Sequence, residues 1–211
     1  MSGSKGSSAM FHANERASNR AARVSMSLFR IAQAIKKITQ ADSDAIGLSP
    51  VQIQSLLFIY HTRQDMASVG HLADSIGTTH VTAVKIVNGL LEKGLVAKEK
   101  HPDDKRITTL RLTERGCELI DRLDRWGEKL QAALGGLPED AMDNLEVGLG
   151  GIVHALRGEG YLVVAEPCRG CIHFRPNAGS ADQPHYCEMI RKYLTDEQSR
   201  KECPEHTKPP A

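Results

Sequence analysis

Asp104-Lys105-Arg106-Ile107-Thr108-Thr109-Leu110-Arg111-Leu112-Thr113-Glu114-Arg115-Gly116 is the stretch on which the fold turns. Its centre, Ile107 to Leu112, is β-branched and aliphatic, the composition of a strand. Leu95-Val96-Ala97-Lys98-Glu99-Lys100 upstream has the same character. Between them lies His101-Pro102-Asp103-Asp104-Lys105-Arg106, turn-forming and charged. Two such runs around such a turn predict a β-hairpin with Lys105 and Arg106 at its tip. Thr113-Glu114 then opens a helix carrying Leu119, Ile120, Leu123, Trp126, Leu130 and Leu134 at helical spacing, and Gly135-Gly136 stops it.

Working back from the hairpin, Gly94 has the position of a C′ glycine after a helix that starts near Thr79-His80-Val81-Thr82 and keeps Val84, Ile86, Val87, Leu90 and Leu91 apolar. Gly77-Thr78-Thr79 before it supplies a tight turn and an N-cap, with Thr78 read as a cap and not as a base reader. Ser68 caps a shorter helix through Ser75, its Leu72, Ala73 and Ile76 inward. Two helices joined by a short Gly-containing turn form a unit whose second helix can enter a DNA major groove. Its exposed polar positions, Thr79, His80, Thr82 and Lys85, are candidates for base and phosphate contacts. Lys98 and Lys100 on the first strand, with Lys105 and Arg106 at the turn, can reach phosphates or the adjacent minor groove. The bland readings are His80 as a gap filler and Lys98 and Lys100 as charges that keep a strand edge soluble.

Further out, Ser49-Pro50 starts another helix, with Ile53, Leu56, Leu57 and Tyr60 on one face. Val24, Leu28, Ile31, Ile35 and Ile38 alternate spacings of four and three, as do Met142, Leu145, Leu149, Ile152 and Leu156 after Pro138. Such narrow stripes suit packing against a second subunit as well as against the chain's own body. The 211 residues carry a net charge of +1, so bulk electrostatics is silent about a polyanion. Seven Lys/Arg against one acid in residues 1–40, and four against eight in residues 116–158, show that any basic surface is local. No run of apolar residues is long enough for a membrane span, and residues 1–8 lack the apolar core of a signal peptide, which places the protein in the cytoplasm and away from membranes.

Together these features resemble the MarR family of winged-helix transcriptional regulators from about residue 20 to residue 158. The resemblance rests on Asp104 to Gly116, which fits that family's wing pattern of Asp-x-Arg, five residues and Leu-Thr-x-x-Gly, and on Glu92-Lys93-Gly94-Leu95-Val96 at the helix-to-wing junction. It implies a mainly α fold with a small β-hairpin wing, flanked by long dimerisation helices, acting as a homodimer on a pseudo-palindromic site in double-stranded DNA, most often as a repressor. By position it makes Arg106 the minor-groove arginine, Asp104 its buttress, and Thr79 to Lys85 the reading end of the recognition helix. Val81-Thr82 and Gly89 depart from the usual family residues.

The cysteines lie elsewhere. Of five, Cys117 stands alone and reads as a small buried hydrophobe, while Cys168, Cys171, Cys187 and Cys203 form C-x2-C-x15-C-x15-C. In a reducing compartment this spacing points to a metal site or redox switch. Four thiolates suit zinc or an iron–sulfur cluster. The single knuckle and Cys203-Pro204 lean toward the cluster, with zinc or no metal as the other readings, and His173, His185 or His206 able to replace a thiolate. Only residues 183–194 have a helical look. The chain thus divides into a flexible 1–19, a winged-helix body 20–158 and a cysteine-rich tail 159–211 that the MarR resemblance does not cover. No phosphate loop or nucleophile–base pair marks an enzyme. A DNA-binding regulator, its effector redox state, a metal or a small molecule, is the leading reading. A redox or electron-transfer metalloprotein using the winged helix only for docking or dimerisation is the alternative.

Overall fold

The computed structural model describes residues 9–101, 105–123 and 127–209, apart from the side chains of Asp42, Asp121 and Arg122. Pro102, Asp103, Asp104 and Trp126 of the sequence reading lie outside the described residues. A 3-10 turn, Ala9–Phe11, and helix α1, Ala13–Ser18, occupy part of the segment expected to be flexible. Phe11 meets Phe29 edge-to-face at 5.8 Å, and the Arg16 Nη1 donates to the Met10 carbonyl, so this segment is folded onto the helix that follows.

That helix, α2, runs Arg20–Ile46, and α3 runs Pro50–His61. Ser49 and Gln52 close a reciprocal capping box at the start of α3, with Pro50 in the first turn. Helix α4, Val69–Ser75, is capped by Ser68, and α5, His80–Glu92, by Thr79. Gly77 turns the chain between them at φ +64°, a left-handed conformation that a Cβ disfavours. Strands β1, Val96–Lys100, and β2, Thr108–Leu112, pair antiparallel with Val96 opposite Leu112. Ser68 bridges Thr109, and the Leu110 amide donates to the Ala67 carbonyl, so the segment before α4 lines the hairpin. Ile53, Leu56, Leu72, Val87, Leu90 and Leu110 are wholly buried where α3, α4, α5 and the hairpin meet.

The Leu112-Thr113-Glu114-Arg115-Gly116 motif has a physical reading. The Thr113 hydroxyl donates to the Gly94 carbonyl and accepts from the Gly116 amide, tying the start of α6, Glu114–Leu123, to the turn just before β1. A Cβ at Gly116 would stand 2.2 Å from the Leu95 carbonyl oxygen, so only glycine permits this approach. The helix expected from Thr113 to Leu134 is described in two parts, α6 and α7, Glu128–Leu134. Helix α8, Glu139–Gly158, has no buried residue in this chain, and neither has α7. Cys117 is exposed, not buried as its type suggests, because α6 turns Ile120 and Leu123 to the core and Cys117 away from it. None of the described helices is long and apolar enough to cross a membrane.

Residues 183–194, expected to have helical character, are instead β4, His185–Cys187, and β5, Lys192–Leu194. They pair antiparallel with each other, and β4 pairs with β3, Phe174–Arg175. Arg191 takes φ +54° in the turn, and Tyr186 faces Tyr193 across the strands with ring centres 5.0 Å apart. Such cross-strand aromatic pairs outweigh weak helical periodicity in a short segment. The tail's helix, α9, comes later at Asp196–Arg200, started by a Thr195–Gln198 capping box.

Candidate nucleic-acid interface and cysteine cluster

The first turn of α5 carries the polar face expected of a reading helix. Thr79, His80, Thr82 and Lys85 are all exposed, as is Val81 between them. The cap falls on Thr79 and not on Thr78: its hydroxyl accepts from the Thr82 amide at 3.2 Å and lies 2.9 Å from the Thr82 hydroxyl. The two threonines therefore share one hydrogen-bonded arrangement at the helix N-terminus, where the partial positive charge of the helix favours phosphate.

The hairpin supplies the second basic element. Lys98 and Lys100 are exposed on β1, and Lys105 and Arg106 are exposed at the described end of the turn. Lys98 Nζ donates to Asn88 Oδ1 of α5 at 3.3 Å, which ties hairpin to reading helix. Glu99 and Arg111 pair across the strands, so among the described residues the remaining charge of the hairpin is basic. Asp104, expected beside Arg106, lies outside the described residues.

In the tail, Cys168, Cys171, Cys187 and Cys203 all line one small cavity with Arg63, His173, Phe174, Met189 and His206. Cys168 and Cys171 form a knuckle in which the Cys171 amide donates to the Cys168 carbonyl at 3.0 Å. Among the described residues no three Cys, His, Asp or Glu side chains are arranged to hold a single ion. His185 leaves the cluster to pair with Asp196 at 2.8 Å. Burial raises the Cys168 thiol, with Arg63 pulling the other way, and pushes the Cys203 thiol up to about 11. Burial thus favours the protonated form of Cys168 and Cys203, and a bound cation is what would release those protons.

Arg63 is 2% exposed. Its Nε donates to Asp65 Oδ1 at 2.6 Å and its Nη1 to Cys168 Sγ at 3.6 Å, while Nη2 is buried without a partner. Burial works against the guanidinium charge, but the Asp65 hydrogen bond and charge, with the nearby thiols, more than offset it, and its pKa is raised. His206 is equally buried, and both ring nitrogens lack a hydrogen bond; Glu166 Oε2 is 3.6 Å from Nδ1, an electrostatic neighbour beyond hydrogen-bonding reach.

Residues 46–107 match the model of the MarR family. The solved structure of the S. aureus MepR–DNA complex superposes with a TM-score of 0.56 at 21% identity, covering 62% of this chain and 97% of MepR. Over residues 46–107 this chain is similar to the MarR family. The winged-helix body also resembles a putative MarR regulator from Listeria monocytogenes complexed with 26mer DNA, with a TM-score of 0.55 at 21% identity over 64% of this chain and 89% of that one. In sequence it is 29% identical over 90 residues to the uncharacterized HTH-type transcriptional regulator YdgJ of Bacillus subtilis, covering 42% of this chain and 54% of YdgJ. The match thus spans about half of that relative's length. The B. subtilis HTH-type transcriptional repressor YetL is 24% identical over 132 residues, 62% of this chain and 79% of YetL. The fold expected from the wing motif, mainly helical with a small antiparallel hairpin in a winged helix, is the fold found.

The sequence reading passes over Arg63 and does not single out His206. Arg63 sits in a polar break between helices, and nothing in its local pattern marks a buried side chain; its contacts with Cys168 and Glu202 lie far along the chain. His206 was read as one of three interchangeable histidines, yet it alone of the three is fully enclosed.

Proposed function

We propose that this chain is a homodimeric MarR-family transcriptional regulator, a repressor, that seats the start of α5 in the major groove of a pseudo-palindromic operator and its hairpin against the flanking backbone. The observation that carries the reading is the exposed Thr79–Lys85 turn standing beside a basic hairpin to which Lys98 ties it. The DNA-bound states of MepR and of the Listeria regulator, and the repressor description of YetL, support it. Dimerisation is supported by the apolar residues left exposed on the terminal helices, among them Val24, Ile31 and Ile35 of α2 and Leu149, Val153 and Leu156 of α8. A 20-residue helix that buries nothing within its own chain needs a partner surface. A small apolar effector fits between such helices, and CouR from Rhodococcus jostii, of related fold, was crystallised with p-coumaroyl-CoA. The cysteine set of the tail modulates DNA binding. Such a regulator works in the cytoplasm.

The test is selection of duplex fragments by the full chain from its own genome, followed by footprinting and transcription in vitro. Protection of two half-sites one helical turn apart, with transcript lost on adding protein, supports the proposal. Equal affinity for all fragments overturns it.

A further inference from the structure

The tail is bound to the reading head at three places. The Arg63 amide donates to the Glu202 carbonyl and the Glu202 amide to the His61 carbonyl, both at 2.9 Å, so that Thr62 and Glu202 form a parallel bridge. Lys201 Nζ donates to the Tyr60 carbonyl at 3.0 Å, and Glu205 pairs with His71 of α4 at 3.1 Å. Arg157 of α8 donates to the His206 carbonyl. At the junction of these contacts lies the four-cysteine cavity, with a buried guanidinium on its wall. Asp65 takes only the Nε edge of Arg63, which leaves Nη1 against a sulfur and Nη2 without an acceptor. A neutral thiol is a poor acceptor for a buried charged donor, whereas a metal-bound thiolate is a good one.

We propose that Cys168, Cys171, Cys187 and Cys203 hold a tetrathiolate metal centre and that Arg63 is its counter-cation, coupling the centre to the winged helix. Four thiolates around zinc or around an iron–sulfur core leave a net negative charge, which the Nη1 group already against Cys168 and the unbonded Nη2 group of Arg63 would face. All four cysteines line one small cavity, so a single centre is within reach of the whole set. His206, enclosed with both ring nitrogens unbonded, supplies a further donor beside the sulfurs. Loss of the centre removes the anion from around Arg63 and loosens the Arg63–Glu202 contact, and with it the tail's hold on α4 and α8. This inference deepens the regulatory part of the proposed function.

The full chain is purified anaerobically, analysed for iron, acid-labile sulfide and zinc, and reconstituted with ferrous iron and sulfide or with zinc alone. Brown absorbance with iron and sulfide, or colourless protein with one zinc per chain, supports the centre and names its metal. Arg63→Gln is expected to weaken metal retention against a chelator about 10–100-fold, with Arg63→Lys partly restoring it. Cys187→Ser, a change within the tail that spares the reading head, is expected to abolish the centre. It is also expected to speed hydrogen exchange at the Arg63 and Glu202 amides while the Leu110 amide stays protected. Absence of metal under both reconstitutions overturns the inference, as does a folded Arg63→Gln chain with unchanged retention. Neither readout uses DNA: a metal-free chain that still footprints an operator sinks this inference alone, and a metal-loaded chain that binds no operator sinks the DNA-binding reading alone.

Discussion

Arg63 Nη1 stands 3.6 Å from Cys168 Sγ, joining residues 105 apart in sequence at the base of the helix-turn-helix. Arg63 follows α3 and precedes α4, so a side chain of the reading head forms one wall of the tail's cavity. The tail returns the contact through Glu202, and Arg157 of α8 reaches the same region. The winged helix, α8 and the cysteine cluster are therefore joined by direct contacts.

Gly116 is expected to be intolerant of any side chain. A Cβ there collides with the Leu95 backbone oxygen, an atom that cannot swing aside, and relieving the clash must part α6 from the hairpin. Gly116→Ala should cost about 2–3 kcal/mol, within the range of overpacking strain, in denaturant melts. Gly136→Ala, where no atom lies within 4 Å, should stay within about 1 kcal/mol of the parent and serves as the control. Equal stability of the two variants contradicts the packing argument.

Thr79 is expected to act first as a cap. Thr79→Ala removes the acceptor of the Thr82 amide and should lower stability by about 1 kcal/mol, while Thr79→Ser keeps it. Operator affinity measured on the same proteins separates the roles. If serine restores both stability and affinity, the hydroxyl works through the helix terminus; if it restores stability alone, the threonine methyl contacts the DNA.

How much of this was legible depends on how local the signals are. The hairpin, the Thr79 helix and the Ser49 box rest on residues within a few positions of one another, and each appears where the pattern put it. The glycine of the wing motif was legible as a motif, but its reason, the approach to the Leu95 oxygen, is a contact between elements. Cys117 was misjudged because a residue type predicts burial only on average, and helix phase decides the particular case. The 183–194 strands were missed because three-residue strands owe their existence to partners across a turn, with no periodicity of their own. Arg63 was invisible for the same reason at longer range, since Cys168 and Glu202, which it contacts, lie far along the chain.

A charge in the apolar stripe of α8 is expected to prevent dimerisation without unfolding the winged helix. Leu149 and Val153 sit one turn apart and are 39% and 38% exposed in the single chain. Leu149→Glu would bury a carboxylate in the proposed interface, which costs several kcal/mol unless paired. Sedimentation should then show monomer at concentrations where the parent is dimeric, with the helical circular dichroism of the body retained. A dimeric Leu149→Glu protein places the interface elsewhere.

Arg106 and His80 are expected to fail differently. Arg106 is exposed at the hairpin end, where a contact to phosphate or to the minor groove adds counterion release common to all sequences. Arg106→Ala should weaken binding to specific and non-specific duplexes alike and flatten the slope of log affinity against log salt by about one unit per half-site. His80 is exposed in the first turn of α5, the proposed base-reading end, and His80→Ala should leave that slope nearly intact while reducing discrimination between operator and mismatched operator by about 1–3 kcal/mol. Titrations of both variants at several salt concentrations, on both duplexes, separate the two effects. An unchanged slope for Arg106→Ala removes the hairpin from the interface, and unchanged discrimination for His80→Ala leaves base reading to Thr82 and Lys85.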